Sequence, residues 1–228
     1  MARQMLTLHW KAAKWLLLPI VLAAFGLPVL AVRGLGGSAS EYGYRALYLV
    51  QAGRTLLPLF PTLAAAVGGL LALTAWNWDH RGEHVYSLSL PVARWEWAVL
   101  KFGAGLVLLG VPAVAFLVGS LVATASVDLP AGLTAYPLAV SARFALAALV
   151  SYAVLFAMAA GTIRTTVIVL SAFLGGLFLG QLAVDFVASA YQVPWLQDTS
   201  VTEAVFQTLN TWPGPFQVFF GNWMLIDV

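Results

Sequence analysis

Residues 76–101 read WNWDHRGEHVYSLSLPVARWEWAVLK, and the fold is decided by what this stretch interrupts. It carries six of the chain's 20 Lys, Arg, Asp and Glu residues, namely Asp79, Arg81, Glu83, Arg94, Glu96 and Lys101. An uncharged run ends at Trp78 on one side and another begins after Lys101 on the other. Leu88 and Leu90 lead into Pro91, and proline disfavours helix in the residue before it, so a short surface helix is expected to stop there. Trp95 and Trp97 are amphipathic rings suited to a membrane–water boundary. The stretch therefore reads as a polar knuckle between two membrane crossings, the one segment long enough to reach a soluble partner.

Working outward, the composition places the whole chain in a bilayer. Hydrophobic residues make up 61% and charged residues 9%, against roughly 25% charged in soluble domains, and the mean hydropathy is +0.90. A length of 228 residues leaves room for about five or six spans of ~20 residues. With no shift in composition along it, 1–228 reads as a single transmembrane domain. A net charge of +2 without a basic run excludes a nucleic-acid partner, and the absence of Cys excludes disulfides and thiolate metal sites.

Residues 1–14 carry Arg3, Lys11 and Lys14 among Leu and Trp, as expected of an interfacial elbow whose basic side chains snorkel to water. Uncharged runs then predict spans over Trp15–Val32, Thr55–Trp78, Phe102–Val127, Phe144–Ile163 and Thr165–Val184. Glycine- and serine-rich residues 33–54 and proline-containing residues 128–143 form the connections on the far side. Residues 185–228 carry Asp185, Asp198, Glu203 and Asp227 but no Lys or Arg, and Trp212-Pro213-Gly214-Pro215 breaks their one apolar run. That tail is expected to be external, amphipathic or re-entrant, too short in its apolar part to cross. The fold class is thus all-α, a polytopic helical bundle with five spans, an interfacial N-terminal helix and this C-terminal segment.

Basic residues orient the chain. Arg3, Lys11, Lys14, Arg81, Arg94, Lys101 and Arg164 fall on one side, and only Arg33, Arg45, Arg54 and Arg143 on the other. The positive-inside rule then predicts a cytoplasmic N-terminus in the inner membrane and a cytoplasmic segment over 77–97.

Gly82, Ser89, Leu90, Pro91, Val92, Arg94, Trp95, Glu96 and Lys101 follow an order that resembles the permeases of the ABC transporter type 2 family. In those permeases a comparable run follows the second membrane helix. Val85 and His84 depart from it, standing where the family has Glu and Leu. The resemblance implies a permease subunit of an exporter, with an ATPase-coupling helix over Arg81, Gly82, Glu83, Val85, Tyr86, Leu88, Leu90 and Pro91, and with Arg94, Glu96 and Lys101 as further motif residues. It also implies two copies of a cytoplasmic ATP-binding subunit that hold ATP and Mg, and a second permease, identical or paralogous. Family permeases have a sixth helix, which this sequence does not display.

The three lysines lack the glycines of a phosphate loop, so the chain is not expected to be an enzyme or to carry a cofactor. His80, Glu83 and His84 match H-x-x-E-H, but no third ligand accompanies them and Gly82 weakens the helix such a site needs, so a solvated interfacial helix is expected instead of a metal site. Spans without a central charge suit an amphipathic or lipid-like cargo moving among membrane lipids. The competing expectation is a non-catalytic scaffold or accessory subunit of a larger membrane complex.

Overall fold

The computed structural model describes residues 2–33, 58–81, 93–127, 129, 132–161, 163–191, 200–221 and 223–227. Helices α1 (Ala2–Arg33), α2 (Leu59–Arg81), α3 (Arg94–Ala125), α4 (Pro137–Ala159) and α5 (Ile163–Tyr191) are each long and apolar enough to cross a bilayer. This is the all-α membrane bundle with five spans that the sequence predicts. A helix α6 (Val201–Thr211), a 3₁₀ turn at Pro215–Phe219 and two-residue strands β1 (Thr134–Ala135) and β2 (Ile226–Asp227) complete the described elements.

Uncharged runs become helices because lipid offers no partner for backbone N–H and C=O groups, which an α-helix satisfies internally. Hydroxyls inside the spans obey the same constraint. Ser120 Oγ donates to the Phe116 carbonyl at 2.8 Å, Thr62 Oγ1 to the Pro58 carbonyl at 2.8 Å and Thr124 Oγ1 to the Ser120 carbonyl at 3.0 Å. Helix boundaries differ from the uncharged runs in an informative way. The elbow and the first span are one unbroken helix of 32 residues, about 48 Å at 1.5 Å per residue, so its first turns extend beyond a ~30 Å hydrocarbon core. Helix α4 begins at Pro137, where proline's missing N–H costs nothing and its fixed φ favours a first turn. Arg143 therefore lies inside a helix and not in the connection. Likewise α5 continues through residues 185–191.

The chain divides into two compact units, Met1–Ala160 with Gly221–Val228, and Gly161–Phe220. In the first, α1 and α3 run parallel: Phe25 packs against Gly119 and Val32 joins Ala123. Helices α2 and α4 are also parallel, since Gly68 lies on the Ala148 and Tyr152 backbone and Trp76 meets Phe156 with ring centroids 5.1 Å apart. The two pairs are antiparallel to each other, because Phe60 and Phe144 both meet Phe116, at 5.5 and 4.1 Å, while Phe102 meets Tyr152 at 5.1 Å. A consistent up–down order follows for four of the spans.

One end of this unit is closed by the last described residues. Trp223, Met224, Leu225 and Ile226 are all buried, and Leu225 and Ile226 share a core with Val32 of α1 and Ala123 of α3. Strand β2 pairs antiparallel with β1, Thr134 opposite Asp227 and Ala135 opposite Ile226, and Tyr136 N donates to the Leu225 carbonyl at 2.9 Å. This clasp lies at the end of the α3–α4 connection, opposite the end where α2 finishes and α3 starts.

In the second unit, Val201, Val205 and Leu209 form the half-buried stripe of α6, and its polar residues are exposed. Ser200 caps it by accepting from Glu203 N at 3.3 Å. The Val201 N–H donates to Gln181 Oε1 at 2.8 Å, and Gln181 Nε2 donates to Asp185 Oδ1 at 2.9 Å. Gln181 precedes the end of α5 by ten residues, roughly 15 Å along the axis. Helix α6 therefore starts beside the body of α5 and not at its tip.

Candidate functional site

The first turns of α1, the last turns of α2 and the first turns of α3 meet at the end of the first unit from which residues 82–92 depart. Lys101, two turns into α3, is 2% exposed. Its Nζ stands 4.1 Å from the centre of the Trp76 ring and 5.8 Å from that of Trp97. His9 of α1 is also buried, lies within electrostatic reach of Lys101, and directs Nδ1 to the Met5 carbonyl at 3.0 Å. A carbonyl can only accept, so Nδ1 carries the proton and Nε2 of the neutral ring is an acceptor. Nε2, like Trp97 Nε1, has no hydrogen-bond partner among the described residues. Phe156, Tyr152 and Phe102 extend the aromatic floor, and the Tyr152 hydroxyl donates to the Phe102 carbonyl at 3.2 Å.

The energetics of this box bear on its role. A desolvated cation–π contact contributes about 2 kcal/mol, whereas burying an ammonium group costs several kcal/mol. What Lys101 provides is a joint: it draws α2 and α3 together beside α1.

Of the candidate site residues read from the sequence, Lys101 is the one that the described residues bring into this box. Arg81 is the last residue of α2 and Arg94 the first of α3; their side chains lie outside the described residues. Glu96 is exposed in the first turn of α3. Gly82, Glu83, Val85, Tyr86, Leu88, Leu90 and Pro91 lie outside the described residues, as does His84. Among the described residues no group of three or more His, Cys, Asp and Glu could hold a metal. His9, Trp76 and Trp97 were missed as site residues. A signal existed for His9, since Met5, His9, Ala13, Leu17, Ile20 and Ala24 recur at helical spacing and all are buried.

The clasped end carries a second cation beside a tryptophan. Arg143 Cζ is 5.1 Å from the Trp223 ring. Gly221 turns the chain there with φ +88°, a backbone conformation that favours glycine, and a Cβ on it would lie 3.0 Å from Arg143 Nη2. A cavity of about 190 Å³ opens beside Arg143, lined also by Tyr136, Ala139, Val140, Met224 and Asp227. Compared with family models, with curated proteins and with solved structures, the chain matches none.

Proposed function

We propose that this chain is the membrane-spanning permease subunit of an ATP-binding-cassette exporter of the type 2 kind, seated in the cytoplasmic membrane with its N-terminus and residues 77–97 on the cytoplasmic side. The observation that carries the reading is the burial of Lys101 between Trp76 and Trp97. The helices that flank the family-like motif are tied to each other and to α1, so a push on residues 82–92 would be delivered to a packed bundle and not to two loose helix ends. In this reading a separate ATPase holds ATP and Mg, pushes the segment through Glu83, Tyr86 and Leu88, and opens a path between two permease subunits for an amphipathic or lipid-like cargo. No charge lies midway along a described span, which suits such a cargo better than a proton relay.

A second reading, a non-catalytic scaffold subunit, draws on the clasp, which leaves residues 226–227 at the end opposite the polar segment where the family's sixth helix would return. The two are separated by purifying the tagged chain from its native membrane and assaying ATP turnover of the complex it brings down. The permease reading expects a bound ATPase whose turnover falls about tenfold, some 1.4 kcal/mol of coupling, when Glu83 and Leu88 are both replaced by Ala. Recovery of a complex without ATPase activity, or turnover unmoved by that pair, contradicts it.

A further inference from the structure

We infer that the exposed face of the first turns of α1 docks one anionic phospholipid, with Lys11 and Lys14 on its phosphate and Trp15, Leu18 and Leu22 along its glycerol and acyl chain. The inference needs only that the chain spans a bilayer, so it stands or falls independently of the permease reading. Helix α1 has two faces here. Met5, His9, Ala13 and Leu17 are buried, whereas Lys11, Lys14, Trp15, Leu18 and Leu22 are exposed and recur three and four residues apart. Trp15 is 78% exposed and Leu22 63%, so this stripe meets the medium around the first unit and not its core.

Position along the helix decides which part of a lipid each residue meets. Trp15–Val32 carries no charge and rises about 27 Å at 1.5 Å per residue, close to a ~30 Å hydrocarbon core. Lys14 therefore stands at the edge of that core and Lys11 one turn further out, some 4.5 Å along the axis, inside a headgroup layer of roughly 5–7 Å. Trp15 falls at the boundary where indole rings are enriched. Among the described residues, the approach of Lys14 Nζ to within 5.4 Å of the Trp15 ring centre is the only polar or ring contact that either lysine side chain makes. An ammonium group has three donors, so both lysines can turn them to phosphate oxygens. Helix α1 contains no Asp or Glu. A zwitterionic headgroup would bring its own ammonium against two lysines, whereas a net negative one meets complementary charge. Beyond the lysines, Trp15, Leu18 and Leu22 continue the stripe for roughly 10 Å, an apolar track that a lipid chain follows and a free phosphate leaves unused.

The test titrates the purified full chain in detergent with phosphatidylglycerol, with phosphatidylethanolamine and with inorganic phosphate, counting bound molecules by native mass spectrometry. One tightly held phosphatidylglycerol per chain is expected, and phosphatidylethanolamine should bind about tenfold more weakly. Affinity for phosphatidylglycerol should fall about fivefold in Lys11→Gln and in Lys14→Gln and about thirtyfold when both are replaced. The Lys11→Arg/Lys14→Arg pair keeps both charges and should retain the lipid. Both lysines are exposed, so the thermal midpoint should be unchanged; if the Gln pair lowers it, the single variants carry the test. Equal retention of phosphatidylglycerol in the Gln variants overturns the site. Phosphatidylethanolamine held as tightly overturns the anionic occupant, and displacement of the lipid by millimolar phosphate marks a free-anion site instead. A lipid-free dimer that the Gln pair dissociates would assign the face to a second copy of the chain and overturn the lipid.

Discussion

The two ends of the first unit each set a cation against a tryptophan, yet they do so on different terms. Lys101 is sealed in, 2% exposed, with its Nζ 4.1 Å from the Trp76 ring; Arg143 is half-buried, 5.1 Å from the Trp223 ring, and borders a cavity. The compact ammonium acts as a fastener among three helices that are distant in sequence. The forked guanidinium borders a cavity at the clasp. Side-chain chemistry alone does not distinguish these roles; burial and the neighbouring void do. Tight packing makes the sealed end the better candidate for transmitting force.

The largest expected effect comes from reversing charge at the sealed end. Lys101→Glu would bury a carboxylate against the negative faces of two indoles, a penalty of several kcal/mol, and should abolish recovery of monodisperse protein on size exclusion. Lys101→Met, which fills the space without charge, should retain the fold. Arg143→Glu should remain foldable, being half-exposed. Equal loss of folded protein in Lys101→Glu and Arg143→Glu would erase the distinction between the ends.

Next in size is Trp223→Ala. Truncating a buried tryptophan costs about 3 kcal/mol or more, and because a domain of this length shifts by roughly 2–4 °C per kcal/mol, the thermal midpoint in detergent should fall by about 6 °C or more. The loss should be accompanied by failure of the Ala135→Cys/Ile226→Cys cross-link, since Trp223 anchors the clasp. A lowered midpoint with the cross-link intact would mean that Trp223 stabilises the helices without holding the strand.

Smaller effects separate the ends at their glycines. A Cβ at Gly119 would strike the Phe25 carbonyl, which is backbone, whereas one at Gly105 would strike the Tyr152 hydroxyl, the far end of a side chain. Gly119→Ala should therefore cost more, within the ~1–3 kcal/mol of overpacking, and Gly105→Ala less. Gly110→Ala has nothing within 4 Å of the added carbon and should leave the midpoint unchanged. The reverse order of Gly119→Ala and Gly105→Ala in thermal denaturation would show that Tyr152 is held more rigidly than the α1–α3 crossing.

What the sequence displayed was the part of the architecture that solvent dictates. Uncharged runs such as Trp15–Val32 and, from Leu59 on, Thr55–Trp78 had to become helices, and Trp212-Pro213-Gly214-Pro215 had to stop one. What it concealed was non-local. Lys101 was visible as a motif residue, but its burial depends on Trp76 in a preceding helix and on His9 in another, and no window around Lys101 contains them. The clasp was hidden for the same reason: Ile226–Asp227 is too short to read as a strand, and it becomes one only because Thr134 and Ala135 lie opposite it. Arg143 was placed in a connection because charge commonly marks the end of an apolar run, whereas Pro137 had already begun the helix.

Five crossings put the α3–α4 connection and the clasp on one side of the membrane and the start of α3 on the other. Because the chain has no cysteine, single cysteines report without background. Thr134→Cys, Asp227→Cys and Glu96→Cys would each be exposed, in intact cells, to a maleimide that cannot cross the membrane. The account predicts that Thr134→Cys and Asp227→Cys react in intact cells and that Glu96→Cys reacts only after permeabilisation; reaction of Asp227→Cys on the same side as Glu96→Cys would require a sixth crossing and contradict it.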